Sequence, residues 1–352
     1  MLRIVGIGGG TGLPLLMHGL SQLEDRCAAQ GGLCLTALVC VSDNGGSSGR
    51  LRESFHVPAL GDIRNCLVGL SRPGSVLAEL FQYRFSSGPG LAGHALGNLI
   101  LTALYQQAGS LRKAIDLLSD SLQLCGSVLP ATEVPVTLCA EGPGGRMAKG
   151  EVEIAAARMR IGRVWLEPEN PLPARGVLES IDAADAIVFG PGSLFTSVIP
   201  PLLVAGVADA IRRSKAVRIY VCNLMAEPGE TDGFNAADHV RTLMRYLGPD
   251  ALDMCLLNTR APVTRLARRY IAAGAAPVPA DTEAIKALGV LPITADLLAA
   301  DGPKARHDAV ALGQVVLELA QTRVARGRSR AGAEEMKPDP LLERLCAESS
   351  VT

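Results

Sequence analysis

The sequence predicts an α/β fold with a mostly parallel sheet and a small antiparallel β-insert. Three observations predict it. Apolar runs of strand length alternate with segments of helical periodicity over most of the chain. The strand-like runs are apolar at nearly every position, as in sheets covered on both faces. Three of them end in loops of small, hydrogen-bonding residues: LRIVGIGGGTG at Leu2–Gly12, LTALVCVSDNGGSSGR at Leu35–Arg50 and AIVFGPGSLFTS at Ala186–Ser197. Glycine lets a backbone approach an anion closely, and the first amides of the following helix favour negative charge. Loops at the carboxyl ends of parallel strands meet along one sheet edge, where open α/β folds bind ligands. A phosphorylated small molecule is the ligand class this pattern predicts.

Leu2–Ile7 reads as a buried strand, Gly8–Gly12 as a turn, and Leu13–Gln22 as a helix with Leu15, Leu16 and Leu20 on one face. Leu33–Val41 is a second strand, and a helix begins around Asp62–Leu70. Phe81–Gly93 reads as a loop before the apolar helix His94–Gln107. From Ser127 to Leu166 short strand-like pieces (VLPAT, PVTLCAEGPGGR, AKGEVEIA, IGRVWLEP) alternate with turn signals, which predicts the antiparallel insert. A helix near Ala174–Ile181, a strand at Ala186–Phe189, a helix over Pro201–Arg213 and a strand at Val217–Asn223 resume the α/β pattern. Ala236–Tyr246 is then helix and Met254–Asn258 strand. Residues 1–324 are expected to form one domain, with the insert at about 127–166, and the polar residues 325–352 a flexible tail.

Composition narrows the function. The 352 residues are 48% hydrophobic but only 3% aromatic, so the core is built from Ala, Leu, Val and Ile. With 34 basic and 35 acidic residues the net charge is −1, which gives no electrostatic drive toward nucleic acid. Few aromatics also argue against a base-stacking surface. The start, MLRIVGIGGG, lacks the regions of a signal peptide, and no apolar run is long enough to span a bilayer, so a cytoplasmic location without membrane insertion is expected. The nine cysteines form no CxxC pair and lie mostly in apolar runs, the pattern of buried reduced thiols.

The first loop fails the dinucleotide fingerprint GxGxxG, because the third glycine position falls on Thr11, Leu13 or Leu15. A nicotinamide oxidoreductase is therefore disfavoured. Gly9, Gly10, Thr11 and Gly12 remain suited to a phosphate, with Thr11 adding a hydroxyl donor. In SDNGGSSGRLR, Asp43 could hold ribose hydroxyls or, through water, Mg²⁺. Asn44, Gly45, Gly46, Ser47 and Ser48 are candidate ligand contacts there through amides and hydroxyls, and Arg50 and Arg52 supply charged donors. GDIRN places Asp62 and Asn65 at a helix start, where Asp62 is either a cap or a site residue. His94 and Asn98, one helical turn apart, share a face. GPGSLFTS (Gly190, Gly192, Ser193, Thr196, Ser197) repeats the mechanics of the first loop, and without a GxSxG elbow Ser193 is no hydrolase nucleophile. Asn223 ends a strand before MAEPGETDG, whose Glu230, Thr231 and Asp232 add polar groups.

Taken in order, GGGTG, SDNGGSSGRLR, GDIRN, HALGN, VLPAT, GPGSLFTS, CNLMAEPGETDG and ARHD (Ala305–Asp308) closely resemble the YvcK-type gluconeogenesis-factor family, the bacterial branch of the CofD-like proteins. The resemblance spans about Leu2 to Leu312. It implies a Rossmann-like three-layer α/β/α fold, a cytoplasmic location and self-association as a homodimer or higher homo-oligomer. It further implies a nucleotide-sugar ligand such as UDP-N-acetylglucosamine, a role in carbon flow and cell shape, and cell-wall precursor enzymes as partners. The CofD branch itself transfers a phospholactyl group from a nucleotide-activated donor with Mg²⁺. That makes a Mg²⁺-dependent transferase, with Asp43 and Asp62 as candidate catalytic or metal-holding groups, the rival reading. By analogy the Gly9–Gly12 and Gly190–Ser197 loops face the diphosphate, Asp43, Asn65 and Asn223 line the nucleotide or sugar, and Arg306 contacts the ligand. Two departures matter. Asn44 stands where many relatives have a second aspartate, which weakens a divalent-metal site. Ala309 replaces a hydroxyl residue that some relatives carry after RHD, which excludes control by phosphate at that position.

Overall fold

The computed structural model describes residues 1–27, 31–261, 264–272, 274–300 and 304–330. Its strands are β1 (Leu2–Gly8), β2 (Leu33–Val39), β3 (Ser127–Pro130), β4 (Thr137–Glu141), β5 (Met147–Lys149), β6 (Arg163–Glu167), β7 (Ala186–Phe189), β8 (Val217–Val221), β9 (Met254–Asn258) and β10 (Leu291–Ala295). Seven of them form one parallel sheet in the order β10-β9-β8-β7-β1-β2-β3. The strand order reverses at β1, which pairs with β2 on one side (Ile4 opposite Leu35) and β7 on the other (Ile4 opposite Ala186). The crevice at such a reversal is where open parallel sheets take ligands.

All four residues of β7 and the last five of β1 are buried, which explains their unbroken apolar sequences. The helix Gly12–Ser21 lays Leu13, Leu16, Met17 and Leu20 on the core. Each such side chain contributes roughly 1.5–3 kcal/mol through burial. Leu15, expected to share that face, is only half-buried and borders a cavity.

The insert differs from its predicted bounds. Ser127–Pro130 is not part of it but the parallel edge strand β3, paired with β2 from Thr36–Ser127 to Val39–Pro130. The antiparallel sheet is β5-β4-β6 and starts at Thr137. Only Met147–Lys149 of the AKGEVEIA region is strand, since Gly150 adopts φ +92° and Glu151–Ala157 turns into helix. Pro201–Arg213 is likewise two pieces, a 3₁₀ turn at Pro200–Leu203 and a helix at Val207–Arg213, divided by Gly206 at φ +77°. The last helix, Ala309–Arg330, continues past residue 325, where a tail was expected, and residues 331–352 lie outside the described residues. The cysteines among the described residues are free. Among the same residues no single helix is long and apolar enough to cross a membrane.

Gly19 lets the helices Gly12–Ser21 and Ala309–Arg330 touch backbone to backbone, because a Cβ there would overlap the carbonyl oxygen of Ala309. Neither backbone can yield cheaply. Gly19→Ala is expected to lower unfolding stability by about 1–3 kcal/mol in chemical denaturation, and an unchanged midpoint would show that the two helices do not pack this way.

Candidate functional site

A cavity of about 460 Å³ opens at the carboxyl edge of β1, β7 and β8. One wall is the first loop, with Gly10, Thr11, Gly12 and Leu15, and the facing wall is Pro191, Gly192, Ser193 and Ser197. These walls touch: a Cβ on Gly12 would overlap the carbonyl oxygen of Pro191, so only glycine permits the approach. Thr11 is the N-cap of the helix Gly12–Ser21, yet its side chain makes no capping bond. The first-turn amides of a helix have no partners within it. The Thr11 hydroxyl and these amides therefore border the cavity as donors for an anion.

The loop is held from below. Asp62 Oδ2 accepts the Gly10 N–H at 2.7 Å, and Asn65 Nδ2 donates to the Gly10 carbonyl at 3.2 Å. Asp62 and Asn65 are one turn apart in the helix Gly61–Gly69, so a single helix face grips both polar groups of one residue. Gly10 itself adopts φ +63°. Burial pushes the Asp62 carboxyl up to about 6, against the pull of the Gly10 hydrogen bond. Asp62 is thus neither simply a helix cap nor a cavity-lining group.

The second predicted loop is largely spent on structure. Asp43 Oδ1 accepts the Gly45 N–H at 2.7 Å. Asn44 Oδ1 accepts the Val152 N–H at 3.1 Å and so caps the helix Glu151–Ala157 of the insert. Arg52, read as a phosphate donor, instead donates to the carbonyls of Ser42 (3.1 Å), Asp43 (3.2 Å) and Val136 (2.7 Å). Gly9, Gly45, Gly46, Ser47, Ser48, Arg50, His94 and Asn98 do not line the cavity, nor does Gly190. Thr196 is buried and meets Glu230 at 3.3 Å. Asn223 and Arg306 do line it, as the resemblance implied.

Several lining groups were missed by sequence reasoning. Glu151 reaches the cavity from the insert, within the AKGEVEIA piece that had been expected to be strand-like. Its carboxyl is pushed up to about 8 by burial and then by Asp43, Asp62, Glu230 and Glu227. Glu227 lines the cavity too, with Asn223 Nδ2 at 3.4 Å, and burial raises both it and the neighbouring Glu230. Tyr270 and His307 are further polar groups on the far side, where the Ala305 N–H donates to Tyr270 Oη at 3.0 Å. Burial lowers His307 to about 4, so its ring is neutral near pH 7. Only the PGET turn at 228–231 carried a signal that could have pointed to Glu227. Among the described residues no group of three His, Cys, Asp or Glu side chains is placed to hold a metal ion.

Helix-start amides at a switch point, walled by glycine and rimmed by carboxylates, make up the candidate site of an open parallel α/β protein. The chain belongs to the CofD family: the model of the family described as 2-phospho-L-lactate transferase CofD matches residues 4–298. It is similar to the gluconeogenesis factor of Halalkalibacterium halodurans, 40% identical over 90% of this chain and 96% of that protein. The gluconeogenesis factor of Bacillus subtilis is 39% identical over 90% of this chain and 98% of its own. A crystal structure of a Bacillus halodurans protein superposes with a TM-score of 0.85 at 40% identity, covering 90% of this chain and 99% of that one.

A carboxyl whose folded-state value lies above its unfolded one adds stability as pH falls through the folded value and loses it as pH rises. Glu151→Gln removes that dependence. The variant is expected to melt at least about 4 °C above wild type at pH 9, with the gap closing toward pH 5. Parallel melting curves across this range would disprove the burial of this carboxyl.

Proposed function

We propose that the protein is a cytosolic binder of UDP-sugars, of the UDP-N-acetylglucosamine type, that couples their level to carbon flow between gluconeogenesis and cell-wall precursor synthesis. The uncapped Thr11 at the cavity edge, opposite Gly192 and Ser193, carries this reading. The diphosphate sits between these two loops and takes the first-turn amides and the Thr11 hydroxyl, while Ser193 is held by Glu227. Arg306 adds charge from the opposite rim, and Asn223 meets the sugar or ribose. Similarity to proteins named gluconeogenesis factors supports the metabolic context. Binding orders the cavity rim, and that ordered rim is what a regulated partner, such as a cell-wall precursor enzyme, reads.

A second reading, a Mg²⁺-dependent transferase acting on a nucleotide-activated donor, is favoured by one observation. Asp43, Asp62 and Glu151 lie close enough to interact electrostatically, in a chain whose matched family is described as a transferase. The fit to a metal is incomplete, because the described residues do not by themselves assemble three ligands. Asp43 and Asp62 would hold Mg²⁺ only together with ligand phosphate oxygens, and the ion would then neutralise charge on the phosphates.

Calorimetry with UDP-N-acetylglucosamine is expected to show saturable binding that Thr11→Val and Arg306→Ala each weaken by about tenfold or more. Wild-type affinity in both variants would overturn the assignment of the cavity. Mass spectrometry on mixtures with and without Mg²⁺ separates the two readings. Unchanged UDP-sugar supports the binder, and Mg²⁺-dependent product lost in Asp43→Asn supports the transferase.

A further inference from the structure

Ser47, Arg50, His94 and Asn98 stand away from the cavity, and what they meet instead is a second polar cluster. It lies where the first turn of the helix Gly46–Phe55 packs against the loop 83–95 and the start of the helix Leu96–Ala108. Three guanidinium groups gather there. Arg50 donates to the Ala92 carbonyl at 2.9 Å and lies 3.0 Å from where a Cβ on Gly93 would sit. Arg84 donates to the Gly93 carbonyl. Arg64 donates to Asn65 Oδ1 and packs on Gly97, with 6% of its surface exposed.

Among the described residues none of the three pairs with a carboxylate within salt-bridge distance. Arg218, by contrast, is closed by Asp253 at 2.9 Å and 3.1 Å. Arg64 is the costliest of the set, since its Nε is buried without any partner. Burial and the nearby charge of Arg84 both disfavour its charged form, and Asp62 and Asp43 offset this only from a distance. Clamping a loop through carbonyls uses one or two of the five N–H donors on each guanidinium and does not call for three like charges together.

His94 adds a ring nitrogen. Asn98 Nδ2 donates to Ser47 Oγ at 3.1 Å, and Ser47 Oγ in turn lies 3.0 Å from His94 Nδ1. One ring nitrogen is thus held by Ser47, and Nε2 is the nitrogen left to meet a ligand. Burial, Arg50 and Arg84 disfavour the charged ring.

We infer that Arg50, Arg64, Arg84 and His94 form a second anion site, which takes the phosphoryl group of a small molecule distinct from the ligand in the glycine-walled cavity. Charge-assisted donors from several sides match a tetrahedral dianion, and the first-turn amides of the helix Gly46–Phe55 lie next to it. The protein thus presents places for two ligands.

The test is a titration of the full chain with inorganic phosphate, monitored by ³¹P NMR, in the presence of saturating UDP-N-acetylglucosamine. Phosphate is expected to bind still. Arg84→Ala should weaken that binding by about fivefold or more, and Arg84→Lys, which keeps the charge, should retain most of it. Complete displacement of phosphate by the UDP-sugar, or an Arg84→Ala titration identical to wild type, overturns the second site. If UDP-N-acetylglucosamine does not bind at all, the titration is repeated on Thr11→Val. Arg84-dependent phosphate binding there upholds the second site while the reading of the cavity falls, and its absence removes both.

Discussion

The grip of one helix on one glycine sets the geometry of the cavity. Gly10 must adopt a left-handed backbone for the chain to turn from β1 into the helix Gly12–Ser21, and a free loop of glycines would sample many other conformations. Asp62 and Asn65 remove that freedom by holding its N–H and its carbonyl at once. Gly9 lies so close to Asp62 that any side chain there would strike the carboxylate. The free hydroxyl of Thr11 and the open amides of the first helical turn, which come directly after this glycine, are therefore fixed in place before any ligand arrives. Preorganised donors of this kind lose little entropy on binding.

The arrangement has an electrostatic consequence. A loop that presents free amides and a hydroxyl is backed by Asp62 and faced by Glu151 and Glu227, all buried enough for their carboxyls to be raised. Such a rim repels a diphosphate unless protons or a cation neutralise it. Arg306 supplies one positive charge at the edge of the cavity, whereas Arg52 is turned away to carbonyls. Two ways of balancing the charge remain, uptake of protons by the carboxyls or a divalent ion shared with the phosphates. They correspond to the two readings of function, one of which needs only binding and the other chemistry.

Much of this was legible in the sequence. The adjacency of β2, β1 and β7 agrees with three apolar runs ending in the same kind of loop, and the strand Met254–Asn258 was placed to the residue. Glycine marks where chains must approach, so Gly10, Gly12 and Gly192 were found together as cavity walls. Polar residues were harder, because a motif does not say whom its side chain faces. Asn44 and Arg52 look like ligand contacts within SDNGGSSGRLR but bind the backbone of distant segments at Val152 and Val136. Glu151 was invisible for the converse reason. Nothing in AKGEVEIA says that Gly150 will turn the chain into a helix aimed at a cavity whose first wall lies near the start of the chain.

That helix gives the insert a role beyond decoration. Asn44 caps it through the Val152 N–H, and Gly150 must lack a side chain because a Cβ would overlap the Asn44 amide. The loop after β2 thereby fixes the position of Glu151, the insert's one contribution to the cavity rim among the described residues. An aspartate at position 44 could accept the same N–H and would bring another negative charge beside Asp43 and Glu151. Asparagine keeps the hydrogen bond without the charge. The departure at this position thus leaves less negative charge beside Asp43 and Glu151 while preserving the docking of the insert.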